Sequence, residues 1–169
     1  MFPRFPSFRC QGIKFLVENS VIADNSPEAI ADFLHSHFGL DKTVLGDYLG
    51  EGDPLNLKVL FAYVDYMDFT GLTFENALRF FLEGFRLPGE AQKIDRIMET
   101  FGEKFCRCNP RVFASSDVAY VLAYAVIMLN TDAHSSQVKH KVRTISVARM
   151  RFALCCDCAR CHACTLTFA

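Results

Sequence analysis

The chain has 169 residues, an apolar fraction of 51% and a formal net charge of −1. This length and composition predict one globular domain with enough apolar material for a packed core. The nearly neutral charge argues against a nucleic-acid-binding protein or a strongly basic membrane-surface protein, so we expect the partner to be another protein or a small molecule.

The chain is expected to be cytosolic. Its longest apolar run, Val118–Leu129, is shorter than the roughly 20 residues that a membrane-spanning helix needs. The segment Met1–Cys10 has no continuous apolar stretch of the kind found in a secretory signal. Five of the eight cysteines crowd into Cys155–Cys164 and the helical body holds only Cys106 and Cys108, a distribution that does not favour a disulfide framework for that body.

Helical periodicity predicts an all-α fold, because no segment shows the strict two-residue alternation of a half-buried strand. A first helix is expected to begin near Gly12. Ser26 can cap a second helix, which Pro27 starts and Gly39 ends. Asp41 can cap a third, which ends at Gly50.

Two longer helices are predicted next. Asp53 and Pro54 start one, and the other follows Thr73. Their apolar stripes are expected to be buried, and they consist of Leu57, Leu60, Phe61, Val64 and Met67 in the first helix and of Phe74, Ala77, Leu78, Phe81, Leu82 and Phe85 in the second.

After the break at Leu87-Pro88-Gly89, another amphipathic helix is predicted, and Asn109 and Pro110 close it. Its buried stripe is expected to be Ile94, Ile97, Met98, Phe101 and Phe105. Ser115 or Ser116 can cap a last helix that ends near Leu129 and is apolar enough to be buried on all sides.

The sequence contains none of the common catalytic motifs, neither a Gly-rich phosphate loop nor a zinc-protease or serine-hydrolase signature. Glu90 follows a Pro-Gly corner between two apolar helices, and such a corner projects a side chain outward. Taken alone, Glu90 has an ordinary structural interpretation, because a carboxylate at a helix N-terminus gains roughly 0.3 to 1 kcal/mol from the helix dipole.

A family resemblance favours a functional role for Glu90 instead. FRLPGEAQKIDR, residues 85–96, and VFASSDVAYVLAYAVIMLNTDAHSSQVK, residues 112–139, resemble the two signature motifs of the Sec7 domain, the exchange domain of ARF GTPase activators. The similarity runs in the same order from about Gly12 to Lys141, which a chance motif match would not do. Within this family, the residues of the two motifs are most similar to those of the large, brefeldin-A-inhibited Golgi subfamily.

The resemblance implies a right-handed stack of amphipathic helices with a hydrophobic groove, and Glu90 as a glutamic finger that expels GDP from an ARF-family GTPase. No cofactor and no metal are implied. The groove positions that match the family are Ala91, Ile94, Asp117, Tyr120, Tyr124, Ile127, Met128, Asn130 and Asp132. Each apolar member has core packing as its structural alternative, and Asp117, Asn130 and Asp132 have helix capping as theirs.

The sequence departs from the family in its last part. Ser135 and Ser136 stand where the family often has Asn-Pro, and after Lys141 the family's final helices give way to a cysteine-rich segment. We therefore divide the chain into an N-terminal extension (1–11), a C-terminally incomplete exchange domain (12–141) and a divergent tail (142–169). The tail's cysteine spacing fits neither a structural zinc site nor an iron–sulfur run.

Two functions follow from the helical body of this sequence, and the cysteine-rich tail leaves a cysteine-based metal protein as a third, which metal content would test. The leading one is a guanine-nucleotide exchange factor acting in vesicle traffic, whose association with Golgi or endosomal membranes is peripheral and uses regions outside this sequence. The alternative is an inactive helical module that still binds ARF. Tyr124 and Asp132 match the brefeldin-sensitive form of the second motif, whereas Ala125 and Val142 do not.

Overall fold

A computed structural model describes residues 11–37 and 39–134, and within them the chain is all-α, as predicted. The helices are α1 (Gln11–Glu18), α2 (Pro27–Ser36), α3 (Lys42–Leu49), α4 (Pro54–Asp65), α5 (Phe74–Glu83), α6 (Ala91–Cys108) and α7 (Ser116–His134). The described part of the chain divides into two units, of which the first ends at Ala125 and the second begins at Val126. The tail expected at 142–169, with its cysteines, lies outside the described residues.

The predicted caps at Ser26 and Asp41 are confirmed, whereas Asp53 lies at the start of α4 without a side-chain capping bond. The Ser26 hydroxyl accepts a hydrogen bond from the Ala29 amide at 3.3 Å. The Asp41 carboxylate accepts from the Thr43 amide at 2.8 Å, and these bonds satisfy amides that have no partner inside their own helix.

In the first unit, α4 packs against α2, α3 and α6, and α5 packs against α6. Phenylalanine rings fill the space around α5 and α6. Phe101 has no exposed surface and lies at the centre, with ring centroids of its neighbours at 5.1 to 6.0 Å; these neighbours are Phe69, Phe74, Phe81 and Phe105. We call Phe69, Phe74, Phe81, Phe101 and Phe105 the phenylalanine cluster.

Two expectations about burial were wrong. Phe61 on α4 is 45% exposed, although it belongs to the predicted buried stripe. The helix α7 is not buried on all sides, since Val121 is 41% exposed, and it continues beyond Leu129 to His134. A wholly apolar run carries no periodicity, so it does not show which of its faces meets a neighbour.

Within residues 11–37 and 39–134, none of the helices has the length and apolar content needed to cross a bilayer.

Candidate functional site

The bend that carries Glu90 is fixed by α3. The backbone amide of Arg86 donates to the Lys42 carbonyl oxygen at 2.9 Å, and the Lys42 ammonium donates to the Glu83 carbonyl oxygen at 2.6 Å. A Cβ atom at Gly46 would lie 1.8 Å from the Arg86 carbonyl oxygen. Only glycine therefore lets the middle of α3 approach this backbone, and the start of the bend is held from one side.

Glu90 is the N-cap residue of α6, with φ −88° and ψ 124°. Its carbonyl oxygen accepts from the Lys93 and Ile94 amides at 3.0 and 3.1 Å, so its backbone opens the helix. Its side chain makes no capping hydrogen bond and is 72% exposed. The carboxylate is therefore presented to solvent rather than used to close the helix end.

Lys93 lies between Glu90 and two acidic residues, Asp47 of α3 and Glu51 just after its end. Its ammonium nitrogen lies 2.8 Å from Glu51 Oε2, 3.6 Å from Glu90 Oε1 and 3.9 Å from Asp47 Oδ1. The hydrogen bond to Glu51 raises the pKa of Lys93 against the opposing effect of burial, and the charges of Glu51, Glu90 and Asp47 raise it further. Lys93 therefore remains a cation at neutral pH.

The second motif meets the first where α7 crosses α6. Gly102 permits the crossing, because a Cβ atom there would lie 2.9 Å from the Tyr120 amide nitrogen. The Tyr120 hydroxyl donates a short hydrogen bond to Asp95. This bond is the largest cause that raises the pKa of Tyr120 to about 12. The rings of Tyr120 and Tyr124 lie 6.2 Å apart on the same helix.

A cleft of about 270 Å³ lies beside this crossing and carries four carboxyl groups; its lining consists of Asp95, Glu99, Glu103, Ser116, Asp117, Tyr120 and Val121. The concentration of negative charge favours a basic partner surface. The sequence reasoning did not identify Asp95, Glu99 and Glu103 as site residues. Their spacing of four residues along α6 is the signal that could have found them.

The residues proposed from the first motif differ in exposure. Ala91 is exposed at the start of α6, whereas Ile94 is 8% exposed and offers little surface to a partner. From the second motif, Asp117 is exposed in the first turn of α7, and Tyr120 and Tyr124 are partly buried.

The remaining predicted residues belong to the second unit. Ile127 is 9% exposed, Met128 is 36% exposed and Asn130 is exposed. The side chain of Asp132 lies outside the described part of the chain. Because α7 extends to His134, Asn130 and Asp132 lie within the helix rather than at its end.

Among residues 11–37 and 39–134, no group of three or more histidine, cysteine or acidic side chains is placed to hold a metal ion. Cys106 and Cys108 are free thiols in this region. Burial raises the pKa of Cys106, so its thiol remains protonated at neutral pH.

Comparison with known proteins gives a consistent picture. The family description "Sec7 domain" matches residues 3–150. The chain is 60% identical over 142 residues to brefeldin A-inhibited guanine nucleotide-exchange protein 2 of Arabidopsis thaliana, covering 84% of this chain and 8% of that protein. It is 58% identical over 131 residues to cytohesin-2 of Homo sapiens, covering 78% of this chain and 32% of that protein. The chain thus spans a small part of these relatives.

Solved structures agree with this result. The Sec7p catalytic domain matches with a TM-score of 0.72 and 51% identity over 78% of this chain and 71% of that chain. A structure described as ARF1-GDP bound to a Sec7 domain complexed with brefeldin A matches with a TM-score of 0.71 and 40% identity, over 77% of this chain and 66% of that one.

Proposed function

This chain belongs to the Sec7 domain family, and from that premise we propose that it promotes GDP release from an ARF-family small GTPase, with Glu90 as the residue that displaces the nucleotide. One observation carries the proposal. The Glu90 side chain is 72% exposed on a bend held by α3, and it makes no capping bond. A carboxylate in this position is free to enter a partner's binding pocket.

The proposed mechanism is a competition between two anions. A small GTPase holds the β-phosphate of GDP through a lysine, backbone amides and Mg²⁺, and a carboxylate inserted there attracts the same cations and repels the phosphate. No covalent bond is made or broken. The nucleotide loses its electrostatic anchor and dissociates.

The carboxylate cannot do this alone. A GTPase that binds GDP with a dissociation constant near picomolar holds it with a binding free energy of about −16 kcal/mol. Binding of nucleotide and of exchange factor is coupled reciprocally, so the chain must bind the empty GTPase tightly. We assign Ala91, Asp117, Tyr120 and Tyr124 of the first unit to this contact. The acidic cleft beside Tyr120 adds attraction for a basic surface.

Met128 and Asn130 are exposed on α7 and are proposed as further contacts, since an adaptable methionine suits a surface that repacks on binding. The relatives' names and the ARF1 complex support nucleotide exchange on an ARF-family GTPase, and we propose that this exchange serves vesicle traffic. We propose that the protein associates peripherally with Golgi or endosomal membranes.

The test is release of fluorescent GDP from purified ARF with and without the chain. We expect the chain to accelerate release and Glu90→Lys to reduce the accelerated rate at least about 100-fold, which corresponds to about 3 kcal/mol lost from one charged contact. Glu90→Lys should still bind nucleotide-free ARF.

The matched control is Glu28→Lys, which makes the same charge change at an exposed glutamate in the first turn of α2. It should release GDP at the wild-type rate. If the wild-type chain binds ARF but does not accelerate release, the exchange function is wrong and the chain is a binding module only.

A further inference from the structure

We propose that Lys93 is a positioning residue that holds the Glu90 carboxylate in the orientation from which it enters the GTPase. This inference rests on the proposed function. It concerns a residue of the first motif that faces the end of α3, and its basis is the arrangement of one ammonium group among three carboxylates.

The position of Lys93 is set by α3 rather than by Glu90. Its side chain is only 13% exposed, and its ammonium makes its closest contact with Glu51 Oε2, at 2.8 Å. A Cβ atom at Gly50 would lie 2.7 Å from the Lys93 Cβ atom, so the end of α3 lies directly against the lysine stem. The lysine is therefore a fixed charge on the frame of the protein.

Arg96 strengthens this frame one turn further along α6. Its Nε and Nη2 atoms donate to the Gly50 carbonyl oxygen at 3.0 and 2.7 Å. Both bonds satisfy a carbonyl at the end of α3, where the helix itself supplies no donor. The first turns of α6 and the end of α3 are thus joined by two separate basic side chains.

The contact between Lys93 and Glu90 differs from the contact with Glu51. At 3.6 Å it is longer than a hydrogen bond, and Glu90 is the exposed partner. An ion pair of this kind in solvent is weak, so the carboxylate gives it up at little cost when a cation of the GTPase becomes available. The pair orients the carboxylate without trapping it.

Loss of the Lys93 charge would change the field around Glu90. The three carboxylates of Asp47, Glu51 and Glu90, each now within 4 Å of the ammonium, would lose the cation they share, and their like charges would repel one another. The exposed carboxylate of Glu90 is the one able to move away. Its orientation would be lost even though the backbone of the bend is unchanged.

The experiment measures GDP release from ARF over a range of concentrations of the chain for wild type, Lys93→Met and Lys58→Met. Lys58 is an exposed lysine on α4 and is the matched control. We expect Lys93→Met to lower the maximal release rate about fivefold, while the concentration for half-maximal rate stays within about twofold. Lys58→Met should behave as wild type.

Two further variants separate positioning from a structural link between α3 and α6. Lys93→Arg should recover most of the rate because it restores the charge. Adding Glu51→Gln to Lys93→Met should recover part of the rate, because one repelling carboxylate is gone. A purely structural link would give no recovery in the double variant, which lacks both ends of the contact.

Thermal unfolding of each variant accompanies the assay. If Lys93→Met does not fold, Lys93→Gln replaces it, since its amide keeps a polar group while removing the charge, and the same fivefold loss is expected.

The inference is overturned if the Lys93 variant releases GDP as Lys58→Met does, or if the double variant shows no recovery. In either case the proposed function stands as long as wild type is active and Glu90→Lys is not. An inactive wild-type chain overturns both.

Discussion

The two ends of α6 serve different purposes. Toward the C-terminal end, Ile97, Met98, Phe101 and Phe105 have no exposed surface and pack within or beside the phenylalanine cluster. At the N-terminal end, Glu90 is mostly exposed and Lys93 is held among carboxylates. One helix thus joins an apolar core to a charged, solvent-facing site.

The difference shows how a rigid base supports an exposed charge. The buried half fixes where the axis of α6 lies, and α3 fixes where the helix begins. Glu90 itself needs few contacts, because its position follows from those of its neighbours. Substitutions in the core should therefore change stability, whereas substitutions at Glu90 should change activity alone.

The largest effect on stability is expected from Phe101→Ala. Phe101 has no exposed surface, and its removal leaves a cavity among four other rings. We expect a loss of about 3 to 5 kcal/mol in the free energy of unfolding, measured by chemical denaturation. Phe61→Ala, at a ring that is 45% exposed, is the control and should cost about 1 kcal/mol or less. Equal losses would contradict the division between core and surface.

A smaller loss is expected from Gly46→Ala, which tests the support that α3 gives to the bend. The new Cβ atom would meet the Arg86 carbonyl oxygen at 1.8 Å, so α3 must move and the hydrogen bond from Arg86 to Lys42 is strained. We expect the free energy of unfolding to fall by about 1 to 3 kcal/mol and GDP release from ARF to become slower.

Gly52→Ala is the matched control for Gly46→Ala. A Cβ atom there would meet the Arg96 guanidinium at ordinary contact distances of 3.4 to 3.6 Å. The free energy of unfolding of this variant should lie within about 0.5 kcal/mol of the wild-type value. If Gly46→Ala is equally harmless, the bend is not held by α3.

The sequence was most informative where the signals are local. Caps at Ser26 and Asp41 started helices at the predicted places, and the five-residue apolar stripe of α6 is buried as expected. These features depend on residues three or four positions apart, so a single sequence contains them. The two signature motifs gave the family in the same way.

The sequence was least informative where contacts are distant. Lys93 meets Asp47 and Glu51, which lie more than 40 residues earlier, and no local pattern indicates that pairing. The exposed side of α7 was not predicted, because apolar residues occupy all faces of that helix. The hydrogen bond from Tyr120 to Asp95 was not predicted either, because it depends on the crossing of α6 and α7 at Gly102.

The smallest effect concerns that crossing and appears only at high pH. Tyr120 titrates at about 12 in the folded chain against 10.0 for an ordinary tyrosine, chiefly because of its bond to Asp95. Between pH 10 and about 12, the folded state therefore keeps the Tyr120 proton that the unfolded state releases. The stability from this bond is complete below pH 10 and is lost as the pH rises to about 12.

Ultraviolet absorbance of the phenolate measures this titration. The difference between wild type and Tyr120→Phe isolates Tyr120 from Tyr63, whose pKa burial also raises. Asp95→Ala should move the Tyr120 midpoint down toward 10.0. A midpoint that does not respond would show that the two motifs are not joined by this bond.

The most direct test of the central claim is GDP release from ARF by Glu90→Gln, which keeps the length of the side chain and removes its charge. We expect the maximal rate to fall by about 100-fold with no change in the unfolding midpoint, since the side chain is exposed and caps nothing. Release at the wild-type rate would contradict the claim that the charge of Glu90 displaces the nucleotide.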